Sequence, residues 1–177
     1  MKIRITILSL LLISFFCMNN VNAEIADSSF NGFTIKHEYH INAVPDSVYI
    51  YFFRDISQWW SPLHTYSGNP ANIVIQPKAN GCFCERLANG GSVKHMTVLY
   101  AEPGKIFRLS GALGPLQMIP VEGILTIVLK PAEKATDMVV LYSVGGYSPQ
   151  SLSSYAPAVD KMIGDQFAGL KRFADSK

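Results

Sequence analysis

No run of Lys and Arg longer than the pair Lys171-Arg172 occurs in this chain, and no acidic block either. The phosphate-neutralising surface that nucleic-acid binding requires is therefore missing, and no nucleic-acid partner is expected. Missing too are G-x-S-x-G, H-E-x-x-H, a P-loop, and a G-x-G-x-x-G placed between strand and helix. Those are the usual signatures of serine nucleophiles, zinc hydrolysis and nucleotide binding. Gly145-Gly146 follows a strand-like run, but the residues after it build no phosphate cradle. These absences lean the reading away from an enzyme, and no cofactor is expected. Internal repeats and low-complexity linkers are also lacking, which leaves one domain as the simplest organisation.

No apolar run reaches the roughly 20 residues that a membrane span needs. The longest, Ile5 to Met18, follows Lys2 and Arg4 and precedes the small-residue triplet Val21-Asn22-Ala23. That layout predicts a secretory signal peptide over residues 1–23, cut after Ala23, and an exported, periplasmic protein. Phe15 and Phe16 stand before Cys17 where lipidation needs a small residue, which speaks against a lipoprotein. Taking 23 residues from 177 leaves 154 in a single domain, 24–177, enough for a real core. Lys2 and Arg4 leave with the leader, so 13 basic side chains face 13 acidic ones and the precursor's net charge of +2 falls to zero. Of three cysteines only Cys82 and Cys84 remain, in an oxidising compartment.

What is present is a regular pattern. Phe33, Ile35, Tyr39 and Ile41 alternate with mostly polar residues, which predicts a strand over 33–42. Pro45 opens a helix with Asp46 in its first turn, and Val48, Phe52, Ile56 and Trp59 carry its buried stripe to about residue 59. Strands follow near 73–75, 82–88, 92–101, 105–112, 121–130 and 137–145, split by turn residues such as Asn80-Gly81 and Pro103-Gly104. Short connectors predict an antiparallel meander. Tyr155, Val159, Met162, Ile163, Phe167, Leu170 and Phe173 then recur at intervals of three and four, the mark of a long amphipathic helix over 154–174. Pro157 is tolerated there because it falls in the first turn.

An antiparallel sheet with one face to bury, and one long helix to bury it, predicts an α+β helix-grip fold. The expectation is a curved sheet of about seven strands around the C-terminal helix, with an apolar pocket between them. The element order resembles that of the START and birch-pollen-allergen-type superfamily, SRPBCC, over nearly all of the mature chain. The residues that carry the resemblance are Trp59-Trp60, Gly81 to Glu85, Gly91-Ser92-Val93 with His95, Gly111 to Gln117, Val144 to Tyr147 and Ala158-Val159-Asp160. It is most similar to the exported bacterial branch near the polyketide cyclase-like and chaperone-ATPase-activator-like proteins. The resemblance implies a cavity for a hydrophobic molecule or lipid but transfers no catalytic residue, since the superfamily shares none.

Residues 81–117 hold the most versatile chemistry. Cys82 and Cys84 lie two apart and point to one strand face. Three readings of the pair stand: buried reduced thiols, a disulfide that requires a local bulge, or two thiolate ligands joined by His95 in a zinc site. Glu85 falls on the opposite face. It is either a solvated outer residue or an inner carboxylate, near Arg108, whose pKa burial would raise. Glu85 and His95 are the candidates for proton transfer in a cyclase, lyase or hydrolase, with a hydrogen-bonded structural role as the alternative for His95. The expected pocket lining is Trp60, Cys84, His95, Leu113, Met118, Tyr142, Val159, Ile163 and Phe167. An aromatic group with polar tips (Trp59, Trp60, His64, Tyr66, Tyr142, Tyr147, Tyr155) suits a pocket mouth, and Gly111 to Pro120 suits a lid. Binding or carriage leads; the enzyme and an envelope interaction module are the alternatives.

Overall fold

The computed structural model describes residues 23–177. The expected leader lies outside them but for Ala23, and so does Cys17. Among the described residues eight strands form one antiparallel sheet in the order β1-β2-β8-β7-β6-β5-β4-β3. They are β1 (Ala23–Ser28), β2 (Gly32–Ile41), β3 (Ile73–Ile75), β4 (Cys82–Arg86), β5 (Ser92–Glu102), β6 (Ile106–Ser110), β7 (Val121–Ala132) and β8 (Ala135–Gly146). From β3 to β8 the chain is a plain meander, and the N-terminal pair closes onto β8 through β2. The strand beyond the expected seven is β1, which pairs with β2 at the sheet's edge.

Alternation decides which face is buried. Phe33, Ile35, His37, Tyr39 and Ile41 of β2 all point inward, opposite Val144, Tyr142, Val140, Met138 and Thr136 of β8. The same period carries through Leu125, Ile127 and Leu129 of β7 and Phe107 and Leu109 of β6. Against this face lie the helices α1 (Pro45–Arg54), α2 (Ile56–Trp59) and α3 (Ala156–Asp175). The single helix expected over 45–59 is therefore two. The turn comes at Asp55, whose φ −104° and ψ 22° leave the helical region while its carboxylate binds Arg54.

The long helix begins with Pro157 in its first turn, as its missing N–H permits. Val159, Ile163, Phe167, Leu170 and Ala174 form its buried stripe. Phe167 meets the ring of Phe52 at 6.2 Å, and Phe52 meets Phe107 at 4.5 Å, so one aromatic column joins helix, helix and sheet. Burying each such ring stabilises the fold by about 1.5–3 kcal/mol.

Gly164 sets how closely α3 approaches β2. A Cβ there would sit 2.9 Å from the His37 ring. The bare backbone lets Tyr39 donate to the Gly164 carbonyl at 3.1 Å, and it brings His37 Nε2 to 2.8 Å from Asp160 Oδ1. Gln166, fully buried, accepts from the Ser61 N–H at 2.9 Å and so ties α3 to the start of the loop after α2.

Candidate functional site

Between Phe83 and Cys84 the pairing of β4 with β5 shifts by one residue. Phe83 faces Met96, Cys84 faces Lys94, and His95 is the extra residue of a bulge. In an unbroken strand two neighbours point to opposite faces; here His95 and Met96 are both buried. Gly111 makes room for this. A Cβ at that position would lie 2.5 Å from the His95 carbonyl oxygen, so the end of β6 lies directly against the bulge.

On β4, Phe83 and Glu85 face inward while Cys82 and Cys84 face the other way. The two cysteines are joined in a disulfide with Cα atoms 5.3 Å apart, where two residues of regular strand span about 6.6 Å. The bridge thus sits on a contracted strand opposite the bulge. The zinc alternative does not assemble: both sulfurs are bonded to each other, and His95 is on the opposite face. Cys84 for the same reason lines no inner pocket.

Glu85 is not the solvated residue that outer-face statistics favour; it is fully buried. Its Oε1 accepts from the Ser67 N–H at 2.5 Å, and its Oε2 accepts from the Tyr66 N–H at 3.0 Å and lies 2.9 Å from His95 Nε2. Arg108 is not its partner and reaches Thr126 instead. Burial pushes the Glu85 pKa up, but hydrogen bonds from Ser67, the Tyr66 backbone and His95 outweigh it, and the carboxyl is held below its ordinary value. The upward shift expected from burial alone is thereby reversed. An ionised carboxylate only accepts, so His95 Nε2 carries the proton of this bond. The other ring nitrogen, Nδ1, has no hydrogen-bond partner among the described residues and is not sealed from the surroundings.

His95 opens onto a cleft of about 360 Å³ between the sheet, the loop after α2 and the first turns of α3. Of the expected lining, Trp60, His95, Leu113 and Val159 are there. Ile163 and Phe167 lie one stripe over on α3 and are consumed by the core, and Met118 points to solvent with 87% of its surface exposed. Tyr142 is also core. Its hydroxyl accepts from the Leu113 N–H and donates to the Gly111 carbonyl, so it shapes the cleft wall from behind.

Residues that sequence reasoning left out of the lining come from three places: Leu63, His64, Thr65 and Tyr66 of the loop; Gly114, Pro115 and Leu116 of the turn after β6; and Tyr155, Ala158 and Met162 of the last helix. Tyr155, Val159 and Met162 are spaced i, i+4, i+7, so a helical wheel distinguishing this stripe from the Ile163 and Phe167 stripe could have found them. Of the aromatic group expected at a pocket mouth, Trp60, His64, Tyr66 and Tyr155 line the cleft, whereas Trp59 packs inside and Tyr147 is exposed outside the lining. Trp60 Nε1 donates to the His64 carbonyl at 2.9 Å, and the Tyr66 hydroxyl donates to Gln117, whose amide donates to the Lys94 carbonyl. The loop and the Gly114–Met118 turn are thereby latched to each other and to β5.

Chemically, His95 is the buried polar pole of a largely apolar wall that also carries His64, Thr65, Tyr66 and Tyr155. Among the described residues no Ser, Cys, Lys, Arg, Asp or Glu lines the cleft; the titratable residues of its lining are His64, Tyr66, His95 and Tyr155.

No family model matches the chain, and no curated protein matches its sequence. Solved bacterial structures do match its fold. It is similar to an uncharacterized protein from Rhizobium leguminosarum, at 14% identity and a TM-score of 0.62 over 85% of this chain and 99% of that one. A protein from Arthrobacter aurescens matches at 13% identity and a TM-score of 0.61, over 89% and 92% of the two chains. A conserved protein of unknown function from Enterococcus faecalis matches at 16% and 0.57, over 85% and 75%. At such identities the likeness is one of fold: an α+β helix-grip architecture shared with bacterial proteins.

Proposed function

We propose that this chain is an exported member of the SRPBCC superfamily that binds or carries a hydrophobic or amphipathic small molecule. The observation that carries this reading is the cleft between sheet and α3, apolar in its walls and within the usual size range of small-molecule pockets. The motif set of the sequence supports the superfamily, and export rests on the leader's layout.

Intact mass, native and then denatured, tests the proposal on protein purified from the compartment into which it is secreted. The expected native mass exceeds the denatured one by a small organic molecule. Equal masses, together with no shift in melting temperature on adding aromatic compounds or lipids, would overturn it.

A second reading, an enzyme acting on a hydrophobic substrate in the same cleft, is favoured by one observation: the buried contact of Glu85 with His95. Its base would be His95, because a carboxylate held below its ordinary pKa is a poor proton acceptor. Turnover abolished in His95→Phe with binding retained would decide for it. An interaction module gains nothing from Trp59 and Trp60, which are buried and present no apolar patch.

A further inference from the structure

The polar pole of the cleft has a defined sense. Glu85 receives two backbone N–H groups, so its oxygens are committed to accepting, and the proton shared with His95 sits on Nε2. In a neutral imidazole with Nε2 protonated the acceptor is Nδ1, which meets no donor among the described residues, on a side chain that lines the cleft. The ring is held in place by Phe83 at 5.0 Å and Tyr66 at 5.8 Å, so it is a fixed feature of the wall.

The charge pattern restricts what can meet it. Among the described residues no Lys or Arg lines the cleft, and the buried Glu85 charge stands directly behind the imidazole. A carboxylate or phosphate brought there would be desolvated with no fixed cation to offset it.

We propose that the ligand of this cleft is a neutral, largely apolar molecule bearing a hydroxyl group, phenolic or alcoholic, that donates its hydrogen bond to His95 Nδ1. The inference rests on the binding reading above and adds the ligand's polarity. His95 is its specificity-determining residue, and Glu85 is a positioning residue that sets the imidazole tautomer.

Three matched two-ring probes test it by isothermal titration at neutral pH: 2-naphthol, which donates; 2-methoxynaphthalene, which only accepts; and 2-naphthoate, an anion. The expected order in the native protein is naphthol tightest, the methyl ether about 3- to 10-fold weaker, and naphthoate weakest. In His95→Phe the naphthol advantage disappears while the methyl ether still binds. The ranking in the native protein needs no variant, so a poorly folded substitution does not leave the question open. Equal binding of naphthol and its ether, or preference for naphthoate, overturns the hydroxyl inference and leaves the cleft a binding site. Failure of all three to bind sinks the binding reading and this inference with it.

Discussion

Glu85→Gln sets the two terms acting on this buried carboxylate directly against each other. Glutamine has nearly the same shape but only one acceptor oxygen. If its amide nitrogen takes the place of Oε1, it meets the Ser67 N–H; if it takes the place of Oε2, it meets the Tyr66 N–H and the proton on His95. Either way at least one buried donor loses its acceptor, at about 1–3 kcal/mol, and the remaining bonds lose their charge assistance. Removing a buried charge acts in the opposite direction, since the neutral amide is less costly to desolvate. The downward displacement of the Glu85 pKa says that the hydrogen bonds win. The expected loss is about 2–4 kcal/mol, or about 4–16 °C in melting temperature for a domain of this size.

Thermal unfolding followed by circular dichroism measures this at pH 7, and the pH profile sharpens it. Because the folded pKa lies below the ordinary 4.5, the carboxylate's contribution is fully present above about pH 5. It shrinks as pH falls through 4.5 and is gone once pH passes the folded value, since a protonated Glu85 is then close to a glutamine. The gap between the native protein and Glu85→Gln must therefore be flat near neutrality and narrow on acidification. A variant as stable as the native protein at pH 7 would refute the reasoning, as would a gap that widens in acid. Either result would mean that burial outweighs the hydrogen bonds.

Two further outcomes are accessible with the same purified protein. Tyr142→Phe removes the hydroxyl that receives the Leu113 N–H and caps the Gly111 carbonyl, so stability should fall by about 1–2 kcal/mol in denaturant titration, with faster hydrogen exchange at the Leu113 amide. Protein purified without reductant should gain the mass of two hydrogens on reduction of Cys82–Cys84, and the double Cys→Ser variant should lose at most about 1.5 kcal/mol, because so short a loop leaves little unfolded-chain entropy to remove.

The frame of the fold was legible because it depends on period alone. Alternation in β2 and the three-and-four spacing of α3 each report which residues one element buries, and the partner surface follows from there being one sheet to cover among the described residues. Two details escaped for local reasons. The strand β1 begins at the end of the expected leader and carries little alternation, while Asp55 interrupts a helical stripe without glycine or proline to mark the place.

The site was legible as chemistry but not as direction. Alternation on β4 separates Cys82 and Cys84 from Glu85 correctly, and it says nothing about which side is inside. On β5 it misleads: counting back from buried Val98 and Met96 would bury Lys94 and turn His95 outward. The bulge reverses that assignment, and it exists only in the pairing of β5 with β4 and in the close approach of Gly111. The face a strand residue presents is a property of two strands rather than one. His95 reaches Glu85 because the register slips beside the bridged, shortened stretch of the neighbouring strand, so the bridge on the outer face and the polar pole on the inner face occupy the two sides of one distortion.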